Sequence, residues 1–263
     1  MVTGRVTPPG RSPKSSTASD RRAGDDPAAV ETALPPASPH AEDVPELHTV
    51  VQRSLPGMRP ATASALAASG RVRPFRPGDI LFRQDEPIPL TLMIRGYGGF
   101  RRTTVEGKEV TVGLAEPGQI YGITNASGTI ASVELFALTE GAAVQWRGST
   151  FRKALQGDPK LAIDVVDRLA LFLTILTGKV DGFLHQDARR RVIRVLARHR
   201  DLFFSDPPVL SRAHLPGLVG TSREMTGRVI RDLERDGVVA RVGRTGLRLL
   251  DARPLDEEPL SAP

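Results

Sequence analysis

The sequence predicts an α+β chain made of an antiparallel β-roll, a long helix and a C-terminal winged helix-turn-helix. Three observations carry this. Between residues 71 and 147, short runs dense in Val, Ile, Leu, Phe and Thr alternate with Gly or Pro turns about every 8–12 residues, the rhythm of an antiparallel sandwich or barrel. After Asp158 and Pro159, apolar residues recur at steps of three and four through Phe183. Beyond Ser211, two short helical patterns joined by Gly220 precede a strand, a Gly-bounded turn and a second strand.

Bulk properties narrow the function. With 263 residues there is room for two domains, and 40% hydrophobic residues suffice to build cores. The absence of Cys excludes disulfides, thiolate–zinc sites and Cys-held iron–sulfur clusters. No run reaches the ~18 apolar residues of a membrane span. The N-terminus lacks a signal-peptide core, so a cytoplasmic protein is expected. The net charge is +6, with 36 Lys and Arg against 30 Asp and Glu, and it is uneven. Residues 1–45 hold 5 basic and 6 acidic residues, whereas residues 186–248 hold 14 Arg against 7 acidic residues. A basic C-terminal module suits a polyanion.

Taken in order, residues 1–45 are rich in Pro, Ser, Ala and Arg, as in "TPPGRSPKSSTASD", and read as a disordered tail. Residues 46–157 form the first domain. It opens with a short helical pattern (Leu47, Val50, Val51, Leu55) and Ala-rich "TASALAASG". Strand-like runs follow: "DILFRQ", "LTLMIRG", "GGFRRTTV", "KEVTVGLA", "QIYGIT", "IASVELFALT" and "AAVQW", with "VEGKE" as a hairpin turn. Residues 158–185 form the long helix, with Leu161, Val165, Leu169, Phe172, Leu176, Val180 and Phe183 as a heptad-like repeat. Ile163, Val166, Leu171, Leu173 and Ile175 widen its apolar surface. A helix apolar on two sides needs two partners. The simplest pair is its own β domain and a second copy of the chain, met through Val165, Leu169, Phe172, Leu176, Val180 and Phe183. A helix wholly buried in its own core is the other reading. Residues 186–251 make the last domain: a helix over 187–203, the helix pair at 211–235 and two strands. Residues 252–263 read as a loose tail.

The helix pair carries the chemistry. Ser211 is a candidate N-cap for its first helix, and Pro216, within that helix, predicts a kink or a short helix. Thr221 or Ser222 caps the second, which turns Thr226, Val229, Ile230 and Leu233 inward. That leaves Arg223, Glu224, Gly227 and Arg228 outward. Arg can donate two hydrogen bonds to guanine O6 and N7, and Glu can accept one from cytosine N4. Gly227 permits close approach of the backbone. Thr221, Ser222 and the free N–H groups at the helix start suit a phosphate. Arg223, Glu224 and Arg228 are therefore candidate base-reading residues, and Thr221, Ser222 and Gly227 candidate backbone contacts.

On these residues, "LSRAHLPGLVGTSREMTGRVIRDLERDGVV" resembles the DNA-binding domain of the Crp–Fnr family of transcription regulators. "DARRRVIRVL" is similar to that family's hinge and first C-terminal helix. "PGDILFRQDEP", "MIRGYGGFRR" and "EPGQIYGI" resemble its cyclic-nucleotide-binding-like β-roll, so that the likeness covers about residues 71–251. The resemblance implies a homodimer that puts its recognition helix in the major groove of double-stranded DNA at a palindromic site, with Arg223, Glu224 and Arg228 reading half-sites of the TGTGA kind. It further implies RNA polymerase as a partner and a small-molecule effector. Met225 stands where that family usually has Thr.

The sensor departs from the pattern. The resemblance implies an effector pocket at Gly122, Ile123, Ser132, Leu176 and Thr177. Yet Ile123 stands at the position of the ribose-binding Glu, and "IAS" at 130–132 offers no Arg for a cyclic phosphate. A buried phosphate without its cation is strongly penalised, so an effector other than cyclic AMP, or none, is expected. No cofactor or metal is expected, and no nucleophile–base pair or phosphate loop suggests an enzyme. The competing reading is a ligand-sensing module whose helix-turn-helix contacts protein.

Overall fold

The computed structural model describes residues 47–258, so the tail predicted over residues 1–45 lies outside the described residues. Helices α1 (Leu47–Ser54) and α2 (Pro60–Ser69) open it. Their inner residues Val51, Leu55, Ala63 and Leu66 are buried, and Trp146 ties α2 down by donating its indole N–H to the Leu66 carbonyl at 2.7 Å.

Eight strands follow, in two four-stranded antiparallel sheets. One runs in the order β1 (Arg71–Phe75), β8 (Gly141–Trp146), β3 (Leu90–Arg95), β6 (Ile120–Tyr121). The other runs β2 (Ile80–Phe82), β7 (Glu134–Ala137), β4 (Gly98–Thr103), β5 (Glu109–Ala115). All six residues of β8 are buried. Side chains alternate across the pleat: Val144 and Trp146 pack toward the helices with Leu90 and Leu92, while Ala143 packs between the sheets with Met93, Phe82 and Leu135. The "VEGKE" segment is the β4–β5 turn. β1 is absent from the predicted runs because "RVRPF" is polar and contains Pro74, and Pro is tolerated there because β1 is an edge strand. Helix α3 (Gly148–Gly157), which no sequence pattern announced, follows β8.

Helix α4 (Pro159–His185) starts where Asp158 and Pro159 predict. The buried Asp158 side chain accepts from the N–H groups of Lys160 and Leu161 at 3.1 and 3.3 Å, and from Arg59 N–H and the Thr62 hydroxyl at 2.7 Å each. One carboxylate thus caps α4 and anchors the start of α2. Leu161 and Val165 are buried against the β-roll, whereas Val166, Leu169, Phe172, Leu173, Leu176 and Val180 are exposed. Val165, expected on the face toward a second chain, is instead turned into its own core. The Phe183 side chain lies outside the described residues.

The helix expected over 187–203 breaks at His199 into α5 (Ala188–Arg198) and α6 (Arg200–Phe203). Helices α7 (Leu215–Val219) and α8 (Arg223–Arg235), strands β9 (Val239–Val242) and β10 (Gly246–Leu249), and a short α9 (Arg253–Asp256) complete the chain. Residues 253–258 are not the loose tail expected. Leu255 is buried in the same cluster as Val192, Leu196, Phe203, Ile230 and Leu233, and Glu258 pairs with Arg190 and Arg194. Tyr97, Leu114 and Leu138 of the β-roll pack against that cluster, joining the two folds.

Candidate nucleic-acid interface

The helix pair begins shorter than expected. α7 starts at Leu215, so Pro216 occupies its first turn, where a missing N–H costs no helical bond. Ser211 is not its N-cap; its N–H donates to His214 Nδ1 at 3.0 Å. Gly220 takes the left-handed conformation (φ 69°) that turns the chain into α8.

Ser222 caps α8, its hydroxyl oxygen accepting from Met225 N–H at 3.1 Å. The hydroxyl proton stays available to a phosphate. Thr226, Val229, Ile230 and Leu233 are buried, which fixes the rotation of α8 and leaves Arg223, Glu224 and Arg228 in solvent. Arg228 Nη2 and Glu224 Oε1 are 3.9 Å apart, with side chains 59% and 85% exposed. An exposed pair of this kind contributes only about 0.3–0.5 kcal/mol, so stability does not account for three ionic groups gathered there. Gly227 is half-buried between them, and half-buried Thr221 donates its N–H to the Pro216 carbonyl at 3.0 Å. Met225 is 36% exposed beside Arg223 and Glu224.

The base-reading and backbone candidates therefore share one helix start, whereas the sensor candidates lie on several elements. Gly122 is left-handed (φ 76°), and a Cβ there would sit 2.3 Å from the Pro89 carbonyl oxygen, so the turn demands glycine. Ile123 packs with the Leu90–Leu92 cluster. Ser132 is exposed, Leu176 is 45% exposed, and the Thr177 hydroxyl donates to the Leu173 carbonyl of its own helix. Arg73, a cation of the sensor sheets, is engaged with the carbonyls of Ile80 and Leu81 at 2.6 and 2.8 Å. An apolar side chain where a ribose needs a carboxylate, and 130–132 without a cation, do not fit a cyclic nucleotide.

Two features escaped the sequence reading. His199, at the break between α5 and α6, lies with Nδ1 3.6 Å from Glu116 of the β-roll. Its pKa is pushed down to about 4 by burial and by neighbouring Arg198 and Lys179, more than Glu116 restores. Tyr121, whose hydroxyl accepts from Glu116 N–H at 3.0 Å, is raised to about 12, chiefly by burial. The second feature is a network around Glu234 that fastens the wing to α8. No helix among the described residues is long and apolar enough to cross a membrane, and no cluster of His, Asp and Glu there could hold a metal ion.

Comparison with known proteins agrees with this architecture. Residues 72–158 match the family model of the cyclic nucleotide-binding domain, and residues 168–258 that of the Crp-like helix-turn-helix domain. The cAMP-activated global transcriptional regulator Vfr of Pseudomonas aeruginosa is 26% identical over 191 residues, spanning 68% of this chain and 89% of that protein. Among solved structures, FixK2 from Bradyrhizobium japonicum aligns with TM-score 0.59 and 18% identity over 74% of this chain and 99% of that one. The c-di-GMP responsive regulator CLP of Xanthomonas campestris aligns with TM-score 0.59 and 23% identity over 73% of this chain and 100% of that one. At such identities the structural matches speak for the fold alone. With the sensor and helix-turn-helix domains matched in the same order, the chain belongs to the Crp–Fnr family, one of transcription regulators rather than enzymes.

Proposed function

We propose that the protein is a homodimeric, sequence-specific regulator that reads a palindromic DNA site through Arg223, Glu224 and Arg228. One observation carries the reading: these three side chains are exposed at the capped start of a helix whose opposite face is wholly committed to the core. The N-terminal residues of such a helix are those that reach base edges in the major groove. Thr221, Ser222 and Gly227 hold the helix start against phosphates.

A second chain supplies the twofold symmetry. Leu169, Phe172, Leu176 and Val180, joined by Val166 and Leu173, form an apolar stripe on α4 that no part of the described chain covers. Such a stripe in water favours a partner bearing the same stripe. The effector, if one acts, is chemically distinct from cyclic AMP, and the candidate pocket positions Gly122, Ile123, Ser132, Leu176 and Thr177 are where it would be sought. RNA polymerase as a partner and a cytoplasmic location follow from the same reading.

The test is selection of bound duplexes from a random pool, with and without candidate effectors. Enriched sites should be twofold symmetric. Enrichment of no site, or of sites without symmetry, rejects the reading.

A further inference from the structure

The wing is held far more firmly than a lone hairpin. β9 and β10 pair through Val242 opposite Gly246, and the turn between them carries Gly243 (left-handed, φ 54°), Arg244 and Thr245. A two-stranded ribbon by itself is marginally stable in water. Here Arg212, just ahead of α7, grips the turn. Its Nη2 donates to the Arg244 carbonyl at 2.6 Å, and its backbone N–H and Nε donate to the Thr245 carbonyl at 2.9 and 3.3 Å. On the other side, Glu234 of α8 accepts from the N–H and Nε of Arg241 at 3.1 and 2.8 Å. The wing is thus tied to the segment before α7 at its tip and to the recognition helix at its base.

These bonds consume Arg212 and Arg241 and leave other cations free. Arg244 and Arg248 are exposed, and neither has a carboxylate within 4.0 Å among the described residues. Arg212, by contrast, spends its donors on backbone carbonyls. Only a planar, multi-donor guanidinium can serve two neighbouring carbonyls at once; a lysine ammonium cannot hold that geometry.

We propose that Arg212 is a positioning residue for DNA binding: it holds the wing tip so that Arg244 meets a phosphodiester outside the part of the site read by α8. This rests on the DNA-binding reading above and extends it to a second, sequence-independent anchor.

The experiment uses the full chain and a 40-base-pair duplex of random sequence, with affinity followed by fluorescence anisotropy over a salt series. R244Q should lower the slope of log affinity against log salt by about 0.9, the signature of one phosphate contact. R212K keeps the charge yet should lower the slope equally, and R212K/R244Q should add no further loss. Hydrogen exchange at the amides of residues 242–246 should quicken in R212K while the thermal midpoint stays put. A wild-type slope in R212K, or additive losses in the double variant, overturns the proposal. Should R212K fail to fold, a wild-type slope in R244Q alone overturns it. If the wild-type chain binds this duplex without salt dependence, the DNA-binding reading itself fails.

Discussion

Gly217 of α7 lies so close to Thr111 of β5 that a Cβ on it would stand 2.1 Å from the Thr111 carbonyl oxygen and 2.6 Å from a Val110 methyl. The first helix of the helix-turn-helix therefore rests directly on a sensor strand. Ala is a better helix former than Gly by about 1 kcal/mol, so Gly217→Ala should strengthen α7 itself while forcing it off β5. Small-angle scattering should show an expanded particle, with the helical signal retained. An unchanged scattering profile would mean that α7 and β5 are not in contact in solution.

The His199–Glu116 pair spans the same junction and brings a pH dependence. Arg198 and Lys179 also face His199, and its folded pKa of about 4 lies below the roughly 6.5 of an unfolded histidine. The unfolded chain takes up the proton first as pH falls. Stability is therefore full above about pH 6.5 and declines toward about pH 4, by up to about 3 kcal/mol. His199→Gln should flatten urea-unfolding stability across that window. A slope identical to wild type would place the titrating group elsewhere.

Asp158 works in the opposite pH range. Burial alone would raise its pKa, but hydrogen bonds from Arg59, Thr62, Leu161 and Lys160 hold it below the usual carboxylate value. Its contribution is present at neutral pH and is lost only as pH falls through that depressed value. Asp158→Ala removes the cap of α4 and leaves buried donors of α2 and α4 without an acceptor, so a loss of about 3 kcal/mol is expected in denaturant unfolding. A loss below about 1 kcal/mol would mean that water replaces the carboxylate.

Leu169→Glu or Leu173→Glu puts a charge on the exposed stripe of α4, where it disturbs no intramolecular core. Either change should convert the dimer to monomers in sedimentation analysis and leave the monomer folded. Persistence of the dimer in both variants would move the interface off α4.

Arg223→Ala should cost about 1–3 kcal/mol on a selected site and relax specificity at one base pair. Binding weakened equally on every sequence would make Arg223 a phosphate contact.

What the sequence revealed, and what it hid, follows from the range of the forces involved. α8 was legible because cap, apolar period and outward charges all lie within thirteen consecutive residues. The start of α4 was legible because Asp158 and Pro159 are a local signal. Val165 was misassigned because a helix apolar on two sides does not say which side meets its own β-roll. Leu255 and Glu258 looked like a tail because their partners Val192, Arg190 and Arg194 lie some sixty residues earlier in the chain. His199 gave no signal, since its environment comes from Glu116 and Lys179 on two other elements. The grip of Arg212 on the wing was equally silent, because its acceptors are backbone carbonyls, which no sequence pattern displays.

The closing segment also decides where the positive field of the domain emerges. Asp236 answers Arg189, Glu258 answers Arg190 and Arg194, and Asp256 answers Arg200. The arginines of α5 and α6 are thereby quenched, while Arg223, Arg231, Arg244 and Arg248 on α8 and the wing have no carboxylate within reach among the described residues. Charge surplus on one side and neutrality on the other make the domain a lopsided electrical body. A polyanion at long range exerts a torque on such a body before any contact forms, turning the recognition helix forward. Chain-terminal acids that touch no DNA thus govern the angle of approach and, at low salt, the rate of productive encounter.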